Sequence, residues 1–108
     1  MDQREVEKYI LSLPNTRLDY PFGENVAVYK LDDKMFALIS ENKLPLQISL
    51  KCDPELARLL REKYETVMPG QHLNKKHWNT IVLSGQIGWE EIQALIRHSY
   101  ELVAHPSS

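Results

Sequence analysis

The chain has 108 residues and a hydrophobic fraction of 43%, which suits one domain with one core. Its 15 acidic residues outnumber its 13 Lys and Arg residues, and the formal net charge is -2. Domains built mainly to bind polyanions are usually basic throughout, so we expect any contact with nucleic acid to be local.

The composition also indicates a compartment. Cys52 is the single cysteine, which excludes an intramolecular disulfide and suits a reducing cytosol. The first seven residues are too polar for a signal peptide, and no apolar run approaches the roughly 20 residues of a membrane helix. We therefore expect a cytoplasmic protein that does not enter a membrane.

The first half of the chain predicts a helix, a loop and three strands. Apolar residues recur at helical spacing up to Pro14, and residues 15–25 carry the turn residues of an ordered loop. Residues 26–31 and 34–40 are rich in strand-forming residues and are separated by Asp32 and Asp33, which indicates a hairpin. Residues 46–51 alternate strictly between apolar and polar, so a third strand with one buried face follows.

The second half predicts two more helices and two more strands. Asp53, Pro54 and Glu55 have the chemistry of a helix start, and an apolar stripe follows them. Residues 66–68 and 78–84 are strand candidates, and apolar residues step by three or four from Trp89 along a last helix. The order α-β-β-β-α-β-β-α predicts one α+β domain over residues 1–108. In it, two layers pair a mainly antiparallel five-stranded sheet with helices on one face.

The run at residues 69–80 is the strongest functional signal, because it is cationic and no Asp or Glu occurs from Thr66 to Trp89. In a nucleic-acid interface, Lys75 and Lys76 would contact phosphates and Trp78 would stack on a base. The set of candidate residues is completed by the donors His72, Asn74 and His77 and by Lys51 and Arg17, which would extend the surface.

The same residues also have a purely structural interpretation. The two lysines would form a solvated turn, Trp78 would fill the core, and Asn74 would hydrogen-bond the backbone. Asp32 and Asp33 would repel phosphate, so the first hairpin tip is not expected to form a second binding wing.

Six short blocks, in order along nearly the whole chain, resemble the signature blocks of the MmcQ/YjbR family. They are Leu-Pro-Asn-Thr at 13–16, Tyr-Pro-Phe-Gly at 20–23, and the segments at 34–38, 50–55, 72–80 and 99–103. The resemblance implies a fold similar to type III secretion chaperones. It also implies a role in DNA binding through β-hairpin wings.

A protein- or peptide-interaction module is the alternative. In the first two strands, apolar residues occupy both even and odd positions and therefore point to both faces of the sheet. Helices on one face would leave part of the sheet uncovered. A partner or a second copy of the chain would bury that face. Equally, the loop at residues 15–25, with Tyr20 and Phe22, would fold over it and complete a monomeric core.

The sequence favours a protein that is not an enzyme. Cys52 with His72 or His77 would make a nucleophile and base, but a thiol at a strand end is more often a small buried hydrophobe. A nearby helix N-terminus would instead lower its pKa. The histidines lack the spacing of a zinc site and the glycines form no phosphate loop, so we expect no metal and no cofactor.

Overall fold

The computed structural model describes residues 2–70 and 73–105, and it confirms the α+β class. In chain order, the elements are α1 (Gln3–Leu11), β1 (Thr16–Asp19), β2 (Val26–Leu31), β3 (Lys34–Ser40), β4 (Gln47–Lys51), α2 (Pro54–Lys63), β5 (Val67–Pro69), β6 (Trp78–Val82) and α3 (Trp89–Ala104). No helix in the described ranges is both long and apolar enough to cross a membrane.

The strands form one antiparallel sheet in the order β1-β2-β3-β4-β6-β5. It has six strands, so the predicted count of five was wrong. The additional strand is β1, which lies in the predicted loop and pairs with β2 from Thr16↔Leu31 to Asp19↔Val28. An edge strand bonds on one side only, and β1 is mostly exposed, so it lacks the apolar alternation that identifies inner strands.

The start of α2 follows the predicted chemistry. Asp53 accepts hydrogen bonds through Oδ2 from the backbone N–H groups of Glu55 (3.1 Å) and Leu56 (3.2 Å), and Pro54 opens the helix. These bonds satisfy first-turn donors that have no partner inside the helix. The cap fixes where β4 ends and α2 begins.

The main core lies between the helices and one face of the sheet. Each inner strand points buried side chains at the helices, and these pack with apolar residues from all three helices. Examples are Tyr29, Ile39, Ile48 and Ile81. The helices therefore cover one face, as predicted. We call the opposite side of the sheet the open face.

A β-bulge accounts for part of the unusual apolar pattern of β3. Tyr29 pairs with Ala37 but Lys30 pairs with Met35, so Phe36 is an extra residue between them. Phe36 is buried in the main core, with its ring edge-on to Tyr100 at a centroid distance of 5.5 Å. Adjacent apolar residues of β3 thus reach the same core.

A second, smaller core lies on the open face. Val28, Leu38 and Trp78 are buried together there, with Leu73 and two further apolar residues packed against them. The loop at residues 15–25 does not close this face: Phe22 remains 60% exposed and Tyr20 41% exposed. Of the two alternatives for covering this face, completion of the core by the loop is not observed, and Trp78 and Leu73 cover part of the face instead.

Candidate nucleic-acid interface

The cationic run connects β5 to β6, as the sequence predicted, and the hairpin that it closes is tight. The backbone N–H of Gly70 donates to the carbonyl of Trp78 at 2.9 Å. A Cβ atom added at Gly70 would lie 2.8 Å from the Cβ of Trp78, so this position has no room for a side chain. His72, one of the predicted donors, falls outside the described residues.

The described part of this connection, residues 73–77, is called the cationic loop. Asn74 shapes it: its Oδ1 accepts from the backbone N–H of Lys76 at 2.9 Å, and its carbonyl accepts from that of His77 at 3.1 Å. The side-chain oxygen of Asn74 therefore stabilises a turn, as in the structural interpretation. The side chains of Lys75 and Lys76 are exposed, and His77 is half-buried.

Arg61 on α2 bonds directly to the cationic loop, and no sequence pattern indicated this residue. Its Nε donates to Oδ1 of Asn79 at 2.6 Å, and its Nη2 donates to the carbonyls of Trp78, at 3.2 Å, and of Lys75. These oxygens are all neutral, so the guanidinium charge adds to that of the two lysines. An Arg in the last turn of a helix is ordinarily explained by its favourable interaction with the helix dipole.

The proposed stacking role of Trp78 is corrected. The indole is only 7% exposed and packs in the small core against Val28 and Leu38. Alternation along β6 sends Asn79 and Ile81 to the helix side, so Trp78 must occupy the open face, where Leu73 covers it. Its ring stabilises the loop and offers no free surface to a base.

Lys51 lies beside the cationic loop, but Arg17 does not. Lys51 is the cross-strand partner of Trp78 and therefore shares the open face with it, while the next residue, Cys52, donates its N–H to the carbonyl of His77 at 2.8 Å. Arg17 is on β1, three strands from β4, or about 14 Å across the sheet. Its Nη2 lies 3.7 Å from Oδ1 of Asp33, which compensates its charge.

The tip of the β2–β3 hairpin is acidic and exposed. Asp32 adopts a left-handed backbone conformation, with φ at 56°, and both Asp32 and Asp33 face solvent. On the neighbouring strand, Oδ2 of Asp19 accepts from Nζ of Lys30 at 3.1 Å, and this bond lowers the pKa of Asp19. The β1 edge is thus a region of paired charge, unlike the cationic loop.

A groove of about 500 Å³ crosses the centre of the open face, and the sequence did not reveal it. Its lining consists of Phe22, Val26, Leu38, Ser40, Asn42, Lys43, Gln47, Ser49, Leu73 and Thr80. Phe22 forms one wall, and Leu73, from the cationic loop, forms another. The groove therefore shares one residue, Leu73, with the loop that carries the two exposed lysines.

Cys52 has the environment of a buried hydrophobe. Only 4% of it is exposed, and burial, helped by the charge of Asp53, raises its pKa to about 11 against the opposing effect of Arg61. The thiolate needed for nucleophilic attack is therefore disfavoured at neutral pH. Among the described residues, no three His, Cys, Asp or Glu side chains are grouped closely enough to hold a metal ion.

The family model named YjbR matches residues 11–102, a span that contains the hairpin, the groove and all the strands. The chain belongs to the YjbR family. The uncharacterised protein YjbR of Escherichia coli strain K12 is 34% identical over 97 residues, covering 90% of this chain and 82% of that protein. The uncharacterised protein YbdF of Escherichia coli O157:H7 is 36% identical over 97 residues, covering 90% and 80%.

A solved structure with a related sequence has the same fold. The crystal structure of the Deinococcus radiodurans protein DR2400 superposes with a TM-score of 0.90 at 36% identity, covering 94% of this chain and 77% of that one. The resemblance predicted from the short sequence blocks is thereby confirmed. YjbR and YbdF are both uncharacterised, so we infer the function from the residues of this chain.

Proposed function

We propose that this YjbR-family protein binds nucleic acid through its cationic loop, with Lys75 and Lys76 contacting phosphates and Lys51 extending the surface. The observation that carries the proposal is that both lysines are exposed on a loop whose backbone is already bonded within the protein. The backbone that carries the two lysines is therefore held in place, and their exposed ammonium groups remain available for an anionic partner.

The charge around the cationic loop supports this assignment. Acidic residues are absent from the sequence between Thr66 and Trp89, and Arg61 adds a cation whose partners are neutral. A local cluster on a chain of net charge -2 predicts modest, salt-sensitive affinity. The proposed act is binding, in the cytoplasm, and includes no catalytic step.

The test is a fluorescence-anisotropy titration of labelled DNA and RNA at low and near-physiological salt. We expect saturable binding by the wild type and markedly weaker binding by the double variant Lys75→Ala/Lys76→Ala. For two lost phosphate contacts on duplex DNA, the slope of log affinity against log salt should become shallower by roughly 1.8.

A matched control separates the position of charge from its amount. Lys8 on α1 and Lys63 on α2 are exposed on the helical side of the molecule, so Lys8→Ala/Lys63→Ala removes the same two charges. This variant should bind as the wild type does. Equal losses in both variants, or no binding by the wild type at low salt, would refute the proposal.

A protein-interaction module is the second candidate, and exposed apolar residues favour it. Leu44 is 97% exposed in the connection between β3 and β4, and Phe22 is 60% exposed at the groove. A second copy of the chain covering these residues would make a dimer. Light scattering after size-exclusion chromatography tests this directly: a dimer that Leu44→Ser dissociates supports it, and a monomer at all concentrations contradicts a self-association role.

A further inference from the structure

We infer that the groove on the open face binds an unpaired base, so that the nucleic acid recognised is single-stranded. The inference rests on the proposed function and goes beyond it by naming the form of the ligand. Leu73, two residues before Lys75, is one of the residues that line the groove. A strand whose phosphates lie on the lysines therefore brings its next base to the groove.

Phe22 supplies the stacking surface that Trp78 does not. It sits on a β-turn in which the N–H of Gly23 donates to the carbonyl of Tyr20 at 3.4 Å, with Pro21 at the second position. Tyr20 in turn donates from its hydroxyl to Oε2 of Glu41 at 2.9 Å. An exposed aromatic ring held on a turn is the platform that single-strand binders use.

Polar groups that line the groove match the edges of bases. Within the described chain, the side-chain amides of Asn42 and Gln47 make no hydrogen bond, so each offers both a donor and an acceptor. The hydroxyls of Ser49 and Thr80 bond to each other at 2.8 Å, which leaves one of their two protons free to donate. Bases present donors and acceptors of these kinds at their exposed edges.

The charge and the size of the groove agree with a nucleotide. Of the described residues that line it, Lys43 is the one charged side chain and none is acidic. A volume of about 500 Å³ falls within the usual range of roughly 300–1,000 Å³ for small-molecule sites. A paired base stays stacked inside its helix and cannot enter, whereas an unpaired one can.

The test compares a labelled single strand with the duplex of the same sequence, using wild type and Phe22→Ala in anisotropy titrations. We expect the wild type to prefer the single strand, and Phe22→Ala to weaken that binding by about 5- to 150-fold, the usual effect of removing one stacking ring. Duplex affinity should not change. Phe22 is 60% exposed, so the variant should fold, which circular dichroism checks.

Two further variants make the outcomes separable. Leu59→Ala, at an exposed apolar position on α2, should bind as the wild type does, and Gln47→Ala should weaken single-strand binding and change its base preference. Lysine-dependent binding with equal single-strand and duplex affinity, unaffected by Phe22→Ala, overturns the groove assignment alone. Absence of all nucleic-acid binding overturns it together with the proposed function. A wild-type dimer dissociated by Phe22→Ala assigns the groove to a second copy and also overturns it.

Discussion

Arg61 connects α2 to the cationic loop through a single side chain. Its guanidinium bonds the side chain of Asn79, which is 2% exposed, and the carbonyls of Trp78 and Lys75. Asn79 completes the link by donating from Nδ2 to the carbonyl of Ala57 at 3.1 Å. The position of the exposed lysines therefore depends on a bond from α2, made by a residue 14 positions before Lys75.

Replacing Arg61 should weaken both the fold and the proposed binding. Arg61→Met retains an apolar stem but removes the donors. Oδ1 of Asn79 loses its donor, while the Trp78 carbonyl keeps the bond from the N–H of Gly70. We expect the free energy of unfolding to fall by about 1–3 kcal/mol, the usual cost of leaving a buried polar group unbonded. Chemical denaturation measures this change, and anisotropy should show weaker nucleic-acid binding because the loop is less well held.

Arg58 provides the matched control on the same helix. Its guanidinium is exposed and pairs with Glu55 and Glu62 on the helix surface, where ion pairs contribute little. Arg58→Met should leave the unfolding curve nearly unchanged. If both variants lose the same stability, the bonds that Arg61 makes to the loop do not stabilise the fold more than a surface ion pair does.

At the scale of elements, the bulge in β3 and the last helix form one unit. The extra residue, Phe36, lies outside the regular pairing with β2, and its carbonyl accepts a hydrogen bond from Oγ of Ser99 on α3. Ser99 is completely buried among apolar side chains. A polar residue in that position is explained by the carbonyl that the bulge exposes to the core.

Removing this bond should be costly despite the small change in volume. Ser99→Ala leaves the Phe36 carbonyl unbonded in the core, and we expect a loss of about 1–3 kcal/mol in chemical denaturation. Ser12 also donates to a carbonyl, that of Tyr9, but at an exposed helix end where water can replace it. Ser12→Ala should therefore change stability little; a comparable loss at both serines would contradict the account of the bulge.

The sequence predicted the elements that carry a local signal. The β2–β3 hairpin and the Asp53 cap lie where turn residues and strand pattern placed them. β1 escaped prediction because an exposed edge strand needs no buried face. The bulge at Phe36 escaped because periodicity does not record which partner residue is skipped.

At the scale of the whole molecule, the two faces of the sheet differ: one is packed against helices and the other is open. The helices and the main core stabilise one face, while the open face presents the groove and lies next to the cationic loop. A rigid sheet whose other side is already packed is a suitable platform for recognition, since its groups do not need to be ordered on binding. On a chain of net charge -2, we expect the proposed attraction for a polyanion to be confined to the region of the exposed lysines.

Only part of the candidate site could be predicted from the sequence. Exposure of Lys75 and Lys76 follows from turn chemistry, and an acid-free stretch is visible by inspection. Residues brought together by the fold are not visible in this way: Arg61 reaches the loop from another element. The groove likewise joins Phe22, Gln47 and Leu73 from three separate segments.

Amide chemical-shift mapping by NMR, during a titration with single-stranded nucleic acid at low salt, would show which surface of the protein binds. We expect the shifts to concentrate in the cationic loop, in Lys51 and in the turn that carries Phe22, while the exposed sides of α1 and α2 stay unchanged. Shifts centred on the helices, or no shifts at all, would contradict it.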